Sequence, residues 1–286
     1  MSKIQERAMI VGFHQGKWGA RVKDREAETY IKNVYESKGD IGTFYKKLMP
    51  DYVKDINKLY SEAYKFHTEN TVPYDDNGRR FILNQNYFKY VGEMKTYQSK
   101  VNAKLQDMIG KYSEALTEDE SRMNKGFKLS DYPDSGTLLN KYKFFLDVEK
   151  IPENDKLFND MEAETEEQKK LLEDVRAEEE KKFNDRIETA MKTVWNRIYD
   201  VVKHMEQKLS NPDARFHGST VENIKELLDI LPQLNITNDV KLEEVRQEII
   251  DKLTIYRTEV LRDSPEIRKE TAKSAEEILK KMEGYL

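Results

Sequence analysis

The feature that most constrains this chain is a long helical pattern between residues 162 and 209. Apolar residues recur along its second half at steps of three or four positions, and no proline or glycine interrupts them. They are Phe183, Ile187, Met191, Val194, Ile198, Val201, Met205 and Leu209. This spacing places the apolar side chains on one face, and a near-heptad face of that kind is buried against another helix. We therefore predict that the segment packs along a second long helix, in the same chain or in a second copy.

The first half of the pattern is an acidic run over residues 162–180. Interspersed cations at Lys169, Lys170, Arg176, Lys181 and Lys182 are spaced to form ion pairs along a helix. We favour a solvated outer helix face. A surface that binds a basic partner, or that mimics nucleic-acid phosphates, is the alternative.

Other amphipathic helices are predicted on both sides of this segment. Those before it cover residues 24–37, 51–67 and 84–116, and those after it cover 221–231, 241–261 and 265–283. The first has Ala27, Tyr30, Ile31 and Val34 on one face. The last begins with Ser264 as a helix N-cap and Pro265 at the first helical position.

Strand signals are few. Residues 8–22 predict a short strand or hairpin, 141–152 predict a strand that pairs with it, and 117–140 predict a loop. The predicted fold is therefore mainly α: an elongated bundle of long antiparallel, coiled-coil-like helices with a small β element. A weak boundary near 153–165 divides it into a mixed helical lobe with short strands (1–155) and a long-helix lobe (156–286), unless the chain is a single domain.

Composition agrees with a folded, helical protein. Charged residues make up 36% of the 286, and 16 Tyr, 11 Phe and 2 Trp supply bulk for a core, which argues against disorder. The absence of cysteine excludes disulfides and thiolate chemistry. No segment has the apolar length of a signal sequence or a membrane span, so we expect a cytoplasmic protein with no membrane contact.

The segment NTVPYDDNGRRF, residues 70–81, has the form of a ligand loop. With Gly78 as the sixth residue of a calcium loop, Pro73 and Asn84 would occupy the first and twelfth positions, where carboxylates are needed. A phosphate loop would need more glycines and a Gly-Lys-Ser/Thr sequence. We therefore predict a structural turn, with Arg79 and Arg80 as alternative contacts to a partner's carboxylates or phosphates.

A second cluster, Lys17-Trp18-Gly19-Ala20-Arg21-Val22-Lys23-Asp24-Arg25, mixes cations with an aromatic ring, a combination that single-strand nucleic-acid binding uses. Similar character recurs in the segment NKYKFF, residues 140–145. The favoured interpretation is that Trp18 and Phe144 are core residues of a small sheet with basic edges. Lys17, Trp18, Arg21, Arg79 and Arg80 are the candidate contacts if a partner or nucleic acid is bound.

Catalytic signatures are missing from the sequence. The four histidines lack metal-ligand spacing, and no hydrolase, kinase or dinucleotide-binding motif is present. We predict no catalytic residue, no metal site and no cofactor, and hence a protein that is not an enzyme.

Several short motifs occur in a familiar order: WGAR at 18–21, YKKLMP at 45–50, HTENTVPYD at 67–75, NGRR at 77–80, NYF at 86–88 and DYP at 131–133. This order resembles a family of uncharacterised proteins of tailed bacteriophages and prophages. The resemblance covers about residues 17–155 and extends more weakly to about 240. The family pattern has Trp where this chain has Tyr74. The resemblance implies a phage product in a bacterial host cytoplasm, and it implies no functional residues.

Three functions follow as hypotheses. The leading one is a non-enzymatic, phage-encoded protein that contacts host or phage machinery through protein–protein interactions, with a homodimer through the long helices as one arrangement. The alternative is an accessory protein that handles nucleic acid, either by binding single-stranded DNA or in recombination or replication. The third is a virion or assembly component.

Overall fold

The computed structural model describes residues 3–152, 164–211 and 218–286. Helices dominate, and the strands form a small antiparallel sheet and a two-stranded ribbon, which confirms the mainly α prediction. In chain order the elements are α1 Lys3–Arg7, β1 Ala8–Gly16, β2 Arg21–Lys23, α2 Arg25–Val34, β3 Tyr45–Lys47, α3 Pro50–Glu69, β4 Val72–Pro73, β5 Arg80–Leu83, α4 Tyr87–Gly110, α5 Tyr112–Met123, α6 Ser135–Leu138, β6 Lys143–Lys150, α7 Glu166–Ser210, α8 Gly218–Leu234, α9 Val240–Leu253, α10 Thr258–Asp263 and α11 Pro265–Met282.

The chain forms two compact units that interleave in sequence. The first contains Met1–Gly12, Thr68–Tyr90 and Asp147–Leu286, and the second contains Phe13–His67 and Val91–Leu146. These units do not coincide with the predicted lobes 1–155 and 156–286, since the first unit takes residues from both sides of that boundary. Most of the predicted boundary region lies outside the described residues.

The first unit is organised around α7. Its buried side chains include Met191, Val194, Ile198 and Met205, which belong to the predicted apolar face, and α7 contacts both α8 and α11. The prediction that this segment packs along another helix is thus confirmed. The helix begins at Glu166 with Thr165 as a capping-box residue, and the predicted positions 162 and 163 lie outside the described residues.

The sheet has the strand order β4-β5-β1-β6. Strand β1 pairs antiparallel with β5, with Ala8 opposite Leu83 and Val11 opposite Arg80. The predicted pairing between β6 and the N-terminal strand is confirmed, whereas a hairpin within residues 8–22 is wrong. Residues 21–23 turn away from β1 and form β2, which pairs with β3.

The second unit packs α3 and α4 around a separate core. Val53, Ile56, Tyr60 and Ala63 of α3 are buried, as the spacing predicted. The predicted helix 84–116 is two helices instead, α4 and α5, with a break at Lys111, and α5 extends to Met123 into the predicted loop. Helix α2 has Asp24 as its N-cap and contains no fully buried residue. On its apolar face Ala27 and Ile31 are partly buried, whereas Tyr30 and Val34 are exposed.

Likewise, the predicted helix 241–261 is two helices, α9 and α10. Helix α11 begins as predicted: the Ser264 hydroxyl accepts a hydrogen bond from the Ile267 amide. Its Pro265 occupies the first turn, where the missing amide proton costs nothing.

Candidate nucleic-acid interface

The second unit contains a groove of about 680 Å³ at the end of the β2–β3 ribbon. We call it the cationic groove. The polar and aromatic side chains that line it are Lys17, Trp18, Arg21, Lys47, Lys54 and Asn57. The structure therefore brings together three of the five predicted contact residues, and it adds Lys47, Lys54 and Asn57, which the sequence argument did not select as contacts.

The charge of the groove is of one sign. Four of its lining residues are cationic, and none is Asp or Glu. Lys17, Arg21, Lys47 and Lys54 are all exposed residues. In a chain whose net charge is −5, this concentration of positive charge selects for an anionic ligand by local attraction.

Two of these cations oppose each other directly. The antiparallel register of β2 and β3 places Arg21 opposite Lys47. Like charges in that position repel and destabilise the pairing. An anion bound between them would offset this repulsion. We therefore expect the pairing of β2 with β3 to be more stable with an anion in the groove than without one.

The backbone beside the groove is strained. Ala20 and Met49 have φ values of +47° and +45°, which residues with a side chain rarely adopt. The Leu48 amide donates a hydrogen bond to the Ala20 carbonyl at 2.9 Å, and it ties the two strained segments together. Strain of this kind persists only where surrounding contacts hold it.

Those contacts come from α5. The buried carboxylate of Asp119 accepts a hydrogen bond from the Met49 amide at 2.6 Å and one from the Tyr132 hydroxyl at 2.7 Å. Arg122 donates to Asp119 and also to the Lys47 carbonyl at 2.6 Å. Burial and the Asp119 hydrogen bond raise the pKa of Tyr132, so its phenol stays a donor. The Asp119 network thus holds the backbone that positions Lys47.

Trp18 belongs to both the core and the groove. It is half-buried and packs against the core of the second unit, as the favoured sequence interpretation expected, and it also lines the groove. The Lys17 ammonium lies 5.6 Å from the centroid of the buried Tyr60 ring, a cation–π distance. Both residues are therefore held in place by packing beneath the groove.

Arg79 and Arg80 belong to the first unit, whereas the residues of the cationic groove belong to the second. Arg79 donates to Asp75 at 2.7 Å and to Glu149 at 3.0 Å. Arg80 donates to the Thr71 hydroxyl at 2.6 Å and to the Thr68 and Thr71 carbonyls. Both guanidinium groups thus have intramolecular partners, and their role in partner contact stays a prediction.

The segment 70–81 contains β4, the start of β5 and, between them, a turn over residues 74–79. Gly78 has a φ of +83°, and the Asp75 carboxylate accepts hydrogen bonds from the amides of Asn77 and Arg79. Partial burial opposes ionisation of Asp75, but the hydrogen bonds from Arg79 outweigh it and lower the pKa of that carboxyl. The turn leads into strand β5 before the long helix, a strand that the sequence argument missed.

The described ranges contain neither a cluster of metal-ligating side chains nor a membrane-spanning helix. Within residues 3–152, 164–211 and 218–286, no group of three or more His, Asp or Glu side chains is arranged to hold a metal ion. None of the helices in those ranges is long and apolar enough to cross a membrane.

Comparisons with known protein families, with curated proteins and with solved structures find no match for this chain. Its function is therefore inferred from the chemistry of the groove.

Proposed function

We propose that this chain is a non-enzymatic binding protein that takes single-stranded nucleic acid in its cationic groove. The observation that carries the proposal is the set of four exposed cations around Trp18, with no carboxylate in the lining. Proteins that bind single strands combine a positive groove with aromatic rings on which bases stack. On this ground we favour the nucleic-acid hypothesis over the protein-contact hypothesis, which was the leading one from the sequence alone.

The Arg21–Lys47 pair supports a phosphate ligand in particular. A phosphate between these two residues would accept hydrogen bonds from a guanidinium and an ammonium together, and it would neutralise their repulsion. Trp18 would stack on a neighbouring base. Neither contact reads a base edge, so we expect binding with little sequence preference.

The first test measures binding of labelled oligothymidine and oligouridine by fluorescence anisotropy. Wild-type protein is expected to bind both, and the affinity should weaken about 20- to 50-fold between about 50 and about 200 mM salt if three or four cations contact phosphates. Trp18→Ala is expected to weaken binding by about 5- to 100-fold through the loss of stacking. Failure of wild-type protein to bind at about 50 mM salt would end the proposal.

Because Trp18 also packs on the core, a second variant leaves the core untouched. The double variant Lys47→Gln/Lys54→Gln should weaken binding and flatten the salt dependence. The matched control, Lys89→Gln/Lys95→Gln, removes the same charge from exposed positions on α4. Equal losses in both double variants would show that net charge, and not the groove, controls binding.

Protein–protein contact is the second candidate function, and three exposed apolar residues on α2 and at its C-terminal end favour it. Tyr30, Val34 and Tyr35 are 70%, 59% and 74% exposed. Tyr30 and Val34 are four residues apart and share one helix face. An apolar cluster left in solvent in this way is typical of surfaces that dock another protein.

We expect Tyr30→Ser/Tyr35→Ser to abolish capture of a specific host or phage protein while leaving the melting temperature unchanged. The control is Leu129→Ser, since Leu129 is comparably exposed at 64% in the same unit. Capture that persists in the double variant would remove α2 as the docking face.

The proposed setting is the cytoplasm of a phage-infected bacterium, on the resemblance of residues 17–155 to phage proteins. Recovery of the protein in purified virions would instead favour an assembly component.

We also propose that α7 packs on α11 in a coiled-coil-like manner, on the near-heptad spacing of its buried residues. An experimental structure in which α7 side chains do not insert between α11 residues would contradict this.

A further inference from the structure

Two exposed aromatic rings of the second unit stack on each other across the neighbouring strands β1 and β6. The rings of His14 on β1 and Phe145 on β6 have centroids 4.6 Å apart and planes only 13° from parallel. His14 is exposed, and Phe145 is 50% exposed. We call this the outer ring pair.

The outer ring pair is not part of the core, because the neighbouring residues Phe13 and Phe144 supply the rings that pack there. Successive strand residues point to opposite faces, so Phe13 and Phe144 point inward. Their centroids lie 4.7 Å apart, and both rings pack against the core of the second unit. Adjacent positions on the two strands thus provide one ring pair for the core and another for the surface.

A cation lies beside the outer ring pair. Lys143 is exposed and precedes Phe145 by two positions, so it projects from the same face of β6. Gly16 makes room for it: a Cβ at Gly16 would lie 3.3 Å from the Cβ and Cγ of Lys143. The glycine therefore permits a close approach between the end of β1 and this lysine.

We propose that the outer ring pair, together with Lys143, is a second stacking platform on the path of the single strand that the cationic groove binds. The inference rests on the proposed function. His14 is three residues from Lys17, a separation of at most about 10 Å, which about three stacked nucleotides would cover. The proposed path runs from Trp18 to the exposed ring of Phe145, where a base stacks while Lys143 contacts its phosphate.

The experiment compares oligothymidines of about 2 and about 12 nucleotides, the first shorter and the second longer than the roughly three nucleotides that separate the groove from the outer ring pair. Wild-type protein should bind the longer strand more tightly than its additional phosphates alone would explain, because a further base stacks on Phe145. Phe145→Ala should weaken binding of the longer strand by about 5- to 100-fold and leave binding of the shorter strand nearly unchanged. Phe145→Leu keeps apolar bulk on the strand but lacks a π-face, and it should lose the same advantage.

The controls separate this inference from the function on which it rests. Phe88→Ala removes an equally large ring that is 84% exposed in the first unit, and it should change neither affinity. If Trp18→Ala weakens both strands while both Phe145 variants bind like wild type, the outer ring pair is only cross-strand packing, and the inference is overturned although the function stands. If wild-type protein binds neither strand, both are overturned.

Discussion

Replacing Asp119 with alanine is expected to lower the free energy of unfolding by about 2–5 kcal/mol. The substitution leaves the Met49 amide and the Tyr132 hydroxyl without their acceptor in a buried site, and each unsatisfied group costs about 1–3 kcal/mol. It also removes the hydrogen bond that holds the Met49 backbone at its positive φ. We therefore expect weaker single-strand binding in the same variant, through a displaced Lys47.

Urea unfolding followed by circular dichroism measures the effect. Tyr132→Phe should cost less than Asp119→Ala, since it removes one donor and leaves the carboxylate its other partners. In a double-mutant cycle the two losses should not add, because both variants break the same hydrogen bond. Glu120→Ala, an exposed neighbour on α5, should change stability by no more than about 0.5 kcal/mol. Equal losses at Asp119 and Glu120 would contradict the proposed network.

Ile198→Ala is expected to cost about 2–5 kcal/mol in the first unit. Ile198 is 1% exposed on the buried face of α7, so the deletion leaves a cavity that the surrounding helices fill only in part. The unfolding free energy from urea titration again provides the measurement.

The matched control lies on the same helix. Leu171→Ala removes an apolar side chain that is 64% exposed, and it should cost little beyond any small change in helix propensity. A loss at Leu171 comparable to that at Ile198 would mean that the exposed first half of α7 is buried by another molecule, as a homodimer through the long helices would require.

Local patterns predicted the helices well wherever a buried face and a cap coincide. The α7 face and the Ser264 cap of α11 are examples, because period and capping depend on residues within one or two turns. The same patterns missed the break at Lys111, since apolar spacing continues across it into α5. They also did not show whether another element packs on the apolar face of α2, because amphipathic spacing occurs on solvent-exposed helix faces as well as on packed ones.

The candidate site was predictable in part. Lys17, Trp18 and Arg21 fall within five residues of sequence, so a cation–aromatic cluster could be recognised locally. Lys47 and Lys54 could not be assigned to it. Their position depends on which strand pairs with β2, and nothing in residues 8–25 distinguishes β3 from β1 as the partner.

By itself, the sequence determined a mainly helical chain, the long α7 with its buried face, and the turn at Gly78, because periodicity, capping and the demand for positive φ act over a few residues. Only the tertiary structure decided that Arg21 faces Lys47, that Asp119 holds Met49 and that His14 stacks on Phe145. These contacts join residues far apart in the chain. Such pairs form through the packing of the whole unit, and no local preference encodes them.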